Sequence, residues 1–150
     1  MKTEYSFYSA QFFTATIYEW QPVLADNQFK NIIIDSLQFL VTKKRIELNA
    51  FVPIVIGMHN HIHLIWQAMN DFTPSAIQAS FMKYTAQQIK RSLIKNNPDM
   101  LANFKVNKYD RDYQIWKREP LSVELITQSM LYKSSNTYTT ARFRVPTKPA

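Results

Sequence analysis

The chain has no cysteine and only one glycine, and these two absences exclude several classes of protein. Without cysteine there is no disulfide framework and no zinc–thiolate centre. With Gly57 alone, the sequence lacks the glycine-rich loop of P-loop and dinucleotide-binding proteins. No apolar run approaches the roughly 18 residues that a membrane span needs, and residues 1–5 lack the charged-then-apolar order of a signal peptide. We therefore expect a soluble, cytoplasmic protein.

What the 150 residues do contain is a large apolar share and an excess of positive charge. Hydrophobic residues make up 46% of the chain and aromatic residues 14%, which is enough for one sizeable core. The 18 lysines and arginines exceed the 11 acids and give a net charge of +7. Such a field attracts polyanions, but many basic domains bind nothing specific. Charge alone leaves nucleic acid binding open.

The spacing of apolar residues predicts a mixture of strands and helices. The predicted elements are, in chain order, a strand at residues 5–18, a helix at 27–45, strands at 50–58 and 61–67 joined by a turn at 57–60, a helix at 74–96, a short helix at 99–104, a short strand at 113–116 and a helix at 121–132. This order predicts an α+β fold, a ferredoxin-like antiparallel sheet with helices packed on one face.

The three histidines of the chain lie within five residues, at His59, His61 and His63. Because alternate side chains of a strand share a face, we expect His61 and His63 to project together from one face, while Ile62, Leu64 and Trp66 point into the core from the other. Two such imidazoles can hold Mn, Zn, Fe or Ni, and also Mg when oxygen ligands and phosphates complete the shell. A bare His-x-His pair is more often a pair of ordinary histidines, so the spacing alone leaves metal binding open.

The sequence around these histidines resembles a known motif. The segment Val55-Ile56-Gly57-Met58-His59-Asn60-His61-Ile62-His63-Leu64-Ile65 is similar to the HUH motif of the HUH single-tyrosine transposases, of the insertion-sequence and REP-associated type. That motif is usually an apolar strand followed by Met-Pro-Asn-His-hydrophobic-His-Leu. His59 stands at the proline position, which leaves both ligand positions filled. Residues 81–87 and 113–118 resemble the family's next helix and its Trp-Gln-Arg stretch, so the resemblance covers roughly residues 5–132.

The resemblance implies an enzyme that breaks and rejoins single-stranded DNA, often beside a hairpin, through a 5′-phosphotyrosine intermediate. It implies that His61 and His63 bind Mg or Mn, that single-stranded or hairpin DNA is the partner, and that the protein forms a homodimer. Basic and aromatic side chains would grip such DNA. The candidate DNA contacts are Lys83, Lys90, Arg91, Lys105, Lys108, Arg111, Tyr113, Trp116, Lys117 and Arg118.

The family's nucleophile lies in a C-terminal phrase, Lys-Phe-Lys-Tyr-Ile-His-Asn-Asn-Pro, that this sequence lacks. Codons that encode Lys133 to Ala141 can be chosen so that, read two bases later, they spell Lys-Phe-Lys-Tyr-Ile-His-Asn-Ser. One lost base after the Tyr132 codon would therefore explain the difference. We accordingly divide the chain into a catalytic domain at residues 1–132 and an atypical tail at 133–150. In the other reading frame the family's tyrosine falls at Asn136–Thr137. Tyr138 is the candidate nucleophile because it lies nearest that position, and Tyr132 is the alternative.

Three functions stay open at this point. The first is an active or formerly active transposase, and the second is a non-catalytic binder of DNA hairpins that keeps the transposase fold. The third is an unrelated small metal-dependent enzyme or RNA-binding domain built on a ferredoxin-like sheet. The histidine pair in its strand context favours the first two.

Overall fold

The computed structural model describes residues 8–51 and 59–125, in which strands alternate with helices. The elements are β1 (Ala10–Thr16), α1 (Asn27–Thr42), β2 (Ile46–Phe51), β3 (His61–Ala68), α2 (Pro74–Asn96), α3 (Pro98–Leu101), β4 (Lys105–Lys108), β5 (Arg111–Tyr113) and β6 (Leu121–Leu125). Short 3-10 turns lie at Tyr18–Trp20, Val23–Ala25 and Ala102–Phe104. Within these ranges the helices are too short or too polar to cross a membrane.

Four strands form the main sheet, in the order β2-β3-β1-β6, and every neighbouring pair is antiparallel. A β-α-β-β-α-β chain with this strand order has the ferredoxin-like arrangement. The predicted α+β fold is therefore confirmed. β4 and β5 pair separately as a small two-stranded sheet between α3 and β6.

The two long helices pack on one face of the sheet, as predicted, because each has a single apolar stripe. The buried residues that each helix contributes to this face recur every three or four positions, which is the spacing of one helix face: Phe29, Ile33, Leu37 and Leu40 on α1, and Ile77, Phe81, Thr85, Ile89 and Leu93 on α2. Ile34 and Ser36 of α1 are buried as well. Thr73 caps α2, since its hydroxyl oxygen accepts a hydrogen bond from the Ala76 amide at 3.2 Å, and Pro74 occupies the first helical position.

The main core lies between the helices and the inner face of the sheet. Phe13 of β1 stacks on Trp66 of β3 at 4.9 Å between ring centroids and meets the edge of Phe81 of α2 at 6.3 Å. Ile62 and Leu64 of β3 are buried in the same core. The opposite sheet face carries a smaller apolar cluster, which consists of Ala10, Ile65 and Leu125 with Phe12 packed against it.

Three predictions of local structure are wrong. Residues 121–125 form a strand and not the start of a helix, because all five pair with β1, from Leu121↔Thr14 to Leu125↔Ala10. The short strand predicted at 113–116 is replaced by β4 and β5, and Trp116 makes only an isolated bridge to Ile17. β2 begins at Ile46, four residues before the predicted strand.

Several predicted features lie outside the described residues. They are the turn glycine Gly57, both candidate nucleophiles Tyr132 and Tyr138, the boundary between residues 132 and 133, and the tail at 133–150.

Candidate functional site

The histidine pair lies on the sheet face that points away from the helices. His61 and His63 are half-buried, and their ring centroids are 5.0 Å apart with the ring planes at 76°. The intervening Ile62 is fully buried on the helix side, which fixes the two imidazoles on the other side. The predicted common orientation of His61 and His63 is therefore observed.

Each ring of the pair is oriented by a hydrogen bond at Nδ1. The Thr14 hydroxyl, directly opposite His63 in the β1–β3 register, lies 2.8 Å from His63 Nδ1. The Asn60 side-chain oxygen lies 2.7 Å from His61 Nδ1. Because an amide oxygen only accepts, His61 Nδ1 carries the hydrogen and its Nε2 has the lone pair. Metal-binding histidines commonly donate one ring N–H to such a partner and bind the ion through the other nitrogen, so His61 would offer its Nε2.

The protonation state of His63 also suits a ligand. Its burial, and to a smaller extent the neighbouring His61, lower the pKa of His63 below its ordinary value of 6.5. The neutral ring is consequently favoured over the imidazolium cation, and only the neutral ring can bind a metal.

The two imidazoles form an incomplete ligand set. Within residues 8–51 and 59–125, no three His, Cys, Asp or Glu side chains lie close enough together to hold a metal ion. His59 does not join the pair as a third ligand there. Its backbone carbonyl accepts a hydrogen bond from Leu24 at 2.8 Å, and its buried Nδ1 has no partner in the described part of the chain. A divalent cation at this pair would need oxygen ligands from elsewhere to complete its shell.

A groove of about 730 Å³ lies on the helix side, between α2 and the segment that runs from β5 into β6. It brings together six of the predicted DNA contacts, which are Lys83, Arg111, Tyr113, Trp116, Lys117 and Arg118. Three glutamines, Gln11, Gln78 and Gln114, add amide groups to its wall. Cations and amides of this kind can contact phosphate and sugar oxygens.

The other four predicted contacts do not line this groove. Lys90 is exposed on α2, with Nζ 5.5 Å from the centroid of the Tyr113 ring, which does line the groove. Arg91 is exposed on α2, and Lys105 and Lys108 are exposed on β4. The structure thus separates the predicted basic residues into a groove set and a set outside it.

Trp116 and Arg111 line the groove but are less available to DNA than the sequence predicted. Trp116 is only 6% exposed, and its indole N–H donates to the Thr85 hydroxyl at 2.9 Å inside the core. Its ring therefore cannot serve as an open stacking surface. The Arg111 guanidinium donates to the Asp110 carboxylate at 2.9 Å and to Gln114 at 3.2 Å, so its positive charge is partly compensated.

A second, smaller cavity of about 160 Å³ lies on the histidine side of the sheet, beside Thr14 and Thr16. These threonines are the register partners of His63 and His61. Lys117 and Arg118 line both this cavity and the groove, so the segment that enters β6 connects the two sheet faces. Sequence reasoning missed Thr14 and Asn60. The alternation of threonine with apolar residues in β1 was the available signal for Thr14.

Comparison with known proteins shows a likeness in fold. No family model matches the sequence, and no curated protein matches it. A solved structure of a REP-associated tyrosine transposase bound to a REP hairpin matches with a TM-score of 0.57 and 15% sequence identity. The match covers 92% of this chain and 68% of that chain. The two proteins share a fold. At this identity the likeness shows the fold alone.

Proposed function

We propose that this protein binds hairpin or single-stranded DNA and breaks and rejoins it through a 5′-phosphotyrosine intermediate. The observation that carries the proposal is the histidine pair, with both rings on one sheet face and both Nδ1 atoms engaged. The basic groove meets that face through Lys117 and Arg118. The likeness in fold to a REP-associated tyrosine transposase supports the same interpretation as the sequence motif. The two supports are separate, because the sequences of the two proteins are only 15% identical.

His61 and His63 would hold Mg or Mn in this account, through their Nε2 atoms. When bound there, the cation would offset negative charge on the scissile phosphate. Thr14 and Asn60 would keep the two rings in the required tautomer and orientation.

The covalent step belongs to a tyrosine. Its phenolic oxygen would form a bond to phosphorus while the bond from phosphorus to the 3′-oxygen breaks, and the DNA strand would leave as a 3′-hydroxyl. The phosphodiester energy is kept in the phosphotyrosine, so the reverse attack by a 3′-hydroxyl rejoins the strand. Tyr138 is the candidate for this role and Tyr132 is the alternative.

The groove would hold the DNA backbone. Lys83, Lys117 and Arg118 would contact phosphates there, and the glutamines would contact phosphate or sugar oxygens. We also propose, from the family resemblance, that the protein acts as a homodimer, which sedimentation velocity of the full chain measures.

A second candidate is a DNA-hairpin binder without catalysis. It is favoured by two observations, the absence of the family's tyrosine phrase from the sequence and the incomplete ligand set in the described residues. In that case the groove would keep its function and the histidine pair would be a remnant.

One experiment separates the two candidates. The full chain is incubated with Mn²⁺ and labelled hairpin DNA that carries unpaired extensions, and the products are run on a denaturing gel. The transposase proposal predicts a covalent protein–DNA adduct that disappears in His61→Ala and in either Tyr138→Phe or Tyr132→Phe. Binding without any adduct supports the non-catalytic binder, and no binding at all contradicts both.

A further inference from the structure

Trp20 is an exposed tryptophan whose backbone carbonyl lies near Asn60, the hydrogen-bond partner of His61. Its side chain is 59% exposed, whereas the other two tryptophans, Trp66 and Trp116, are 5% and 6% exposed. Tryptophan has a large apolar surface and is highly buried on average. An indole this exposed offers an open aromatic face to a ligand.

The backbone that presents Trp20 is strained. Glu19 and Trp20 have φ angles of 54° and 56°, so two consecutive non-glycine residues occupy the left-handed region. Hydrogen bonds hold this turn on both sides. The Tyr18 amide donates to the Ile115 carbonyl at 2.8 Å, and the Trp20 amide donates to the Ile17 carbonyl at 3.0 Å. Strain of this kind persists where the surroundings impose it, and it is concentrated at ligand-binding sites.

Contacts connect Trp20 to the histidine pair and to the groove. The Asn60 side-chain amide donates to the Trp20 carbonyl at 3.5 Å, while its oxygen bonds to His61 Nδ1 at 2.7 Å. Lys117 Nζ lies 5.8 Å from the Trp20 ring centroid. The Lys117 amide donates to the Thr16 carbonyl at 2.7 Å, which fixes the lysine at the end of β1.

We propose that Trp20 stacks on an unpaired base while Lys117 contacts the adjoining phosphate, so that the pair holds a single strand between the groove and His61. An indole face accepts any base, and a neighbouring cation matches the backbone charge. This inference rests on the proposed function, because it assumes that DNA occupies the groove. It also requires that the DNA contain an unpaired nucleotide, which binding to the groove alone does not require.

The test compares two hairpins that differ only in whether short unpaired extensions flank the stem. Intrinsic fluorescence of the full chain is titrated with each hairpin at fixed salt, and affinities are measured by anisotropy. Because Trp116 also lines the groove, the quenching that is lost in Trp20→Leu is the part that reports Trp20. We expect strong quenching by the extended hairpin and little by the blunt one. Trp20→Leu should weaken binding of the extended hairpin by roughly tenfold and leave the blunt hairpin unaffected, since one base stack contributes about that much.

Two further variants sharpen the test. Trp20→Phe keeps an aromatic face and should recover part of the lost affinity, which a purely structural role of the indole would not predict. Phe39→Leu is the matched control, because Phe39 is 47% exposed on α1 and its ring lies 5.1 Å from the Arg45 guanidinium, whereas the Trp20 ring lies beside Lys117. It should change neither affinity.

The outcomes distinguish failure of the Trp20 stacking role from failure of the proposed DNA binding. If the wild-type chain binds both hairpins but Trp20→Leu binds them as the wild type does, or loses affinity for both equally, the stacking role is wrong and the groove proposal stands. If the wild-type chain binds neither hairpin, the proposed function itself fails.

Discussion

Thr14 and His63 belong to strands that are far apart in sequence, and the register between those strands brings them together. His63 Nδ1 lies 2.8 Å from the Thr14 hydroxyl across the β1–β3 ladder. A threonine in this place can fix the ring orientation and leave Nε2 for a cation. The sequence predicted that His61 and His63 share a face because that follows from strand geometry alone. It could not predict Thr14, because strand register is set by long-range packing.

Replacing Thr14 by valine should weaken Mn²⁺ binding by roughly tenfold, the lower range for loss of a partner to a metal-binding histidine. Valine keeps the shape of threonine and removes only the hydroxyl, so we expect the fold to persist. Isothermal titration of the full chain with Mn²⁺ measures the affinity. Thr14→Ser is the control and should bind like the wild type, and equal weakening in both variants would contradict an orienting role of the hydroxyl.

Trp116 contributes to stability and not to an open stacking surface. Trp116→Phe removes the indole donor to the buried Thr85 hydroxyl and leaves a small cavity, so the free energy of unfolding should fall by about 1–3 kcal/mol. Urea unfolding followed by circular dichroism measures this loss. Trp20→Phe is the matched control, because Trp20 is exposed, and it should change the unfolding free energy by less than about 0.5 kcal/mol. Similar losses in both variants would contradict this assignment.

Among the elements, β6 is one whose secondary structure the local sequence pattern does not determine. Leu121, Val123 and Leu125 alternate as in a strand, but Leu121 and Leu125 are also four residues apart, as on a helix face. The pairing of β6 with β1 decides between these possibilities, and no local signal reports that pairing. By contrast, α2 was predicted almost to the residue, because Thr73-Pro74 and Asn97-Pro98 mark its ends.

The N-terminal cap of α2 offers a test at the level of an element. Thr73→Ala removes the side-chain acceptor for the Ala76 amide and should lower the free energy of unfolding by about 1 kcal/mol. Thermal or urea unfolding measures the change. Thr73→Ser keeps the acceptor oxygen and should restore most of the loss. A Thr73→Ala variant as stable as the wild type would show that the cap does not support the helix that forms the groove wall.

Across the whole molecule, the distribution of charge is more specific than the total of +7. Lys117 and Arg118 line both cavities, whereas Lys105 and Lys108 are exposed on β4 and line neither. The sequence identified all four as basic candidates but could not rank them, because α2, β5 and β6 create the groove only when they pack together. Position in the fold, and not charge, separates the two pairs.

These two pairs of cations allow a matched comparison. Replacing Lys117 and Arg118 by glutamine should weaken hairpin binding strongly and reduce the slope of log affinity against log salt by about 2, one for each lost phosphate contact. Replacing Lys105 and Lys108 by glutamine removes the same net charge and should change affinity far less. Fluorescence anisotropy over a range of salt concentrations measures both. Equal effects of the two double variants would indicate attraction by net charge without a defined groove.

The central claim is that His61 and His63 together hold a divalent cation where the DNA strand lies. Electron paramagnetic resonance of Mn²⁺, titrated into the full chain with an extended hairpin present, measures this directly, because bound Mn²⁺ loses the sharp signal of the free ion. We predict one tight site per chain in the wild type and its loss in both His61→Ala and His63→Ala, with DNA binding retained. An unchanged Mn²⁺ titration in the two alanine variants would contradict the account.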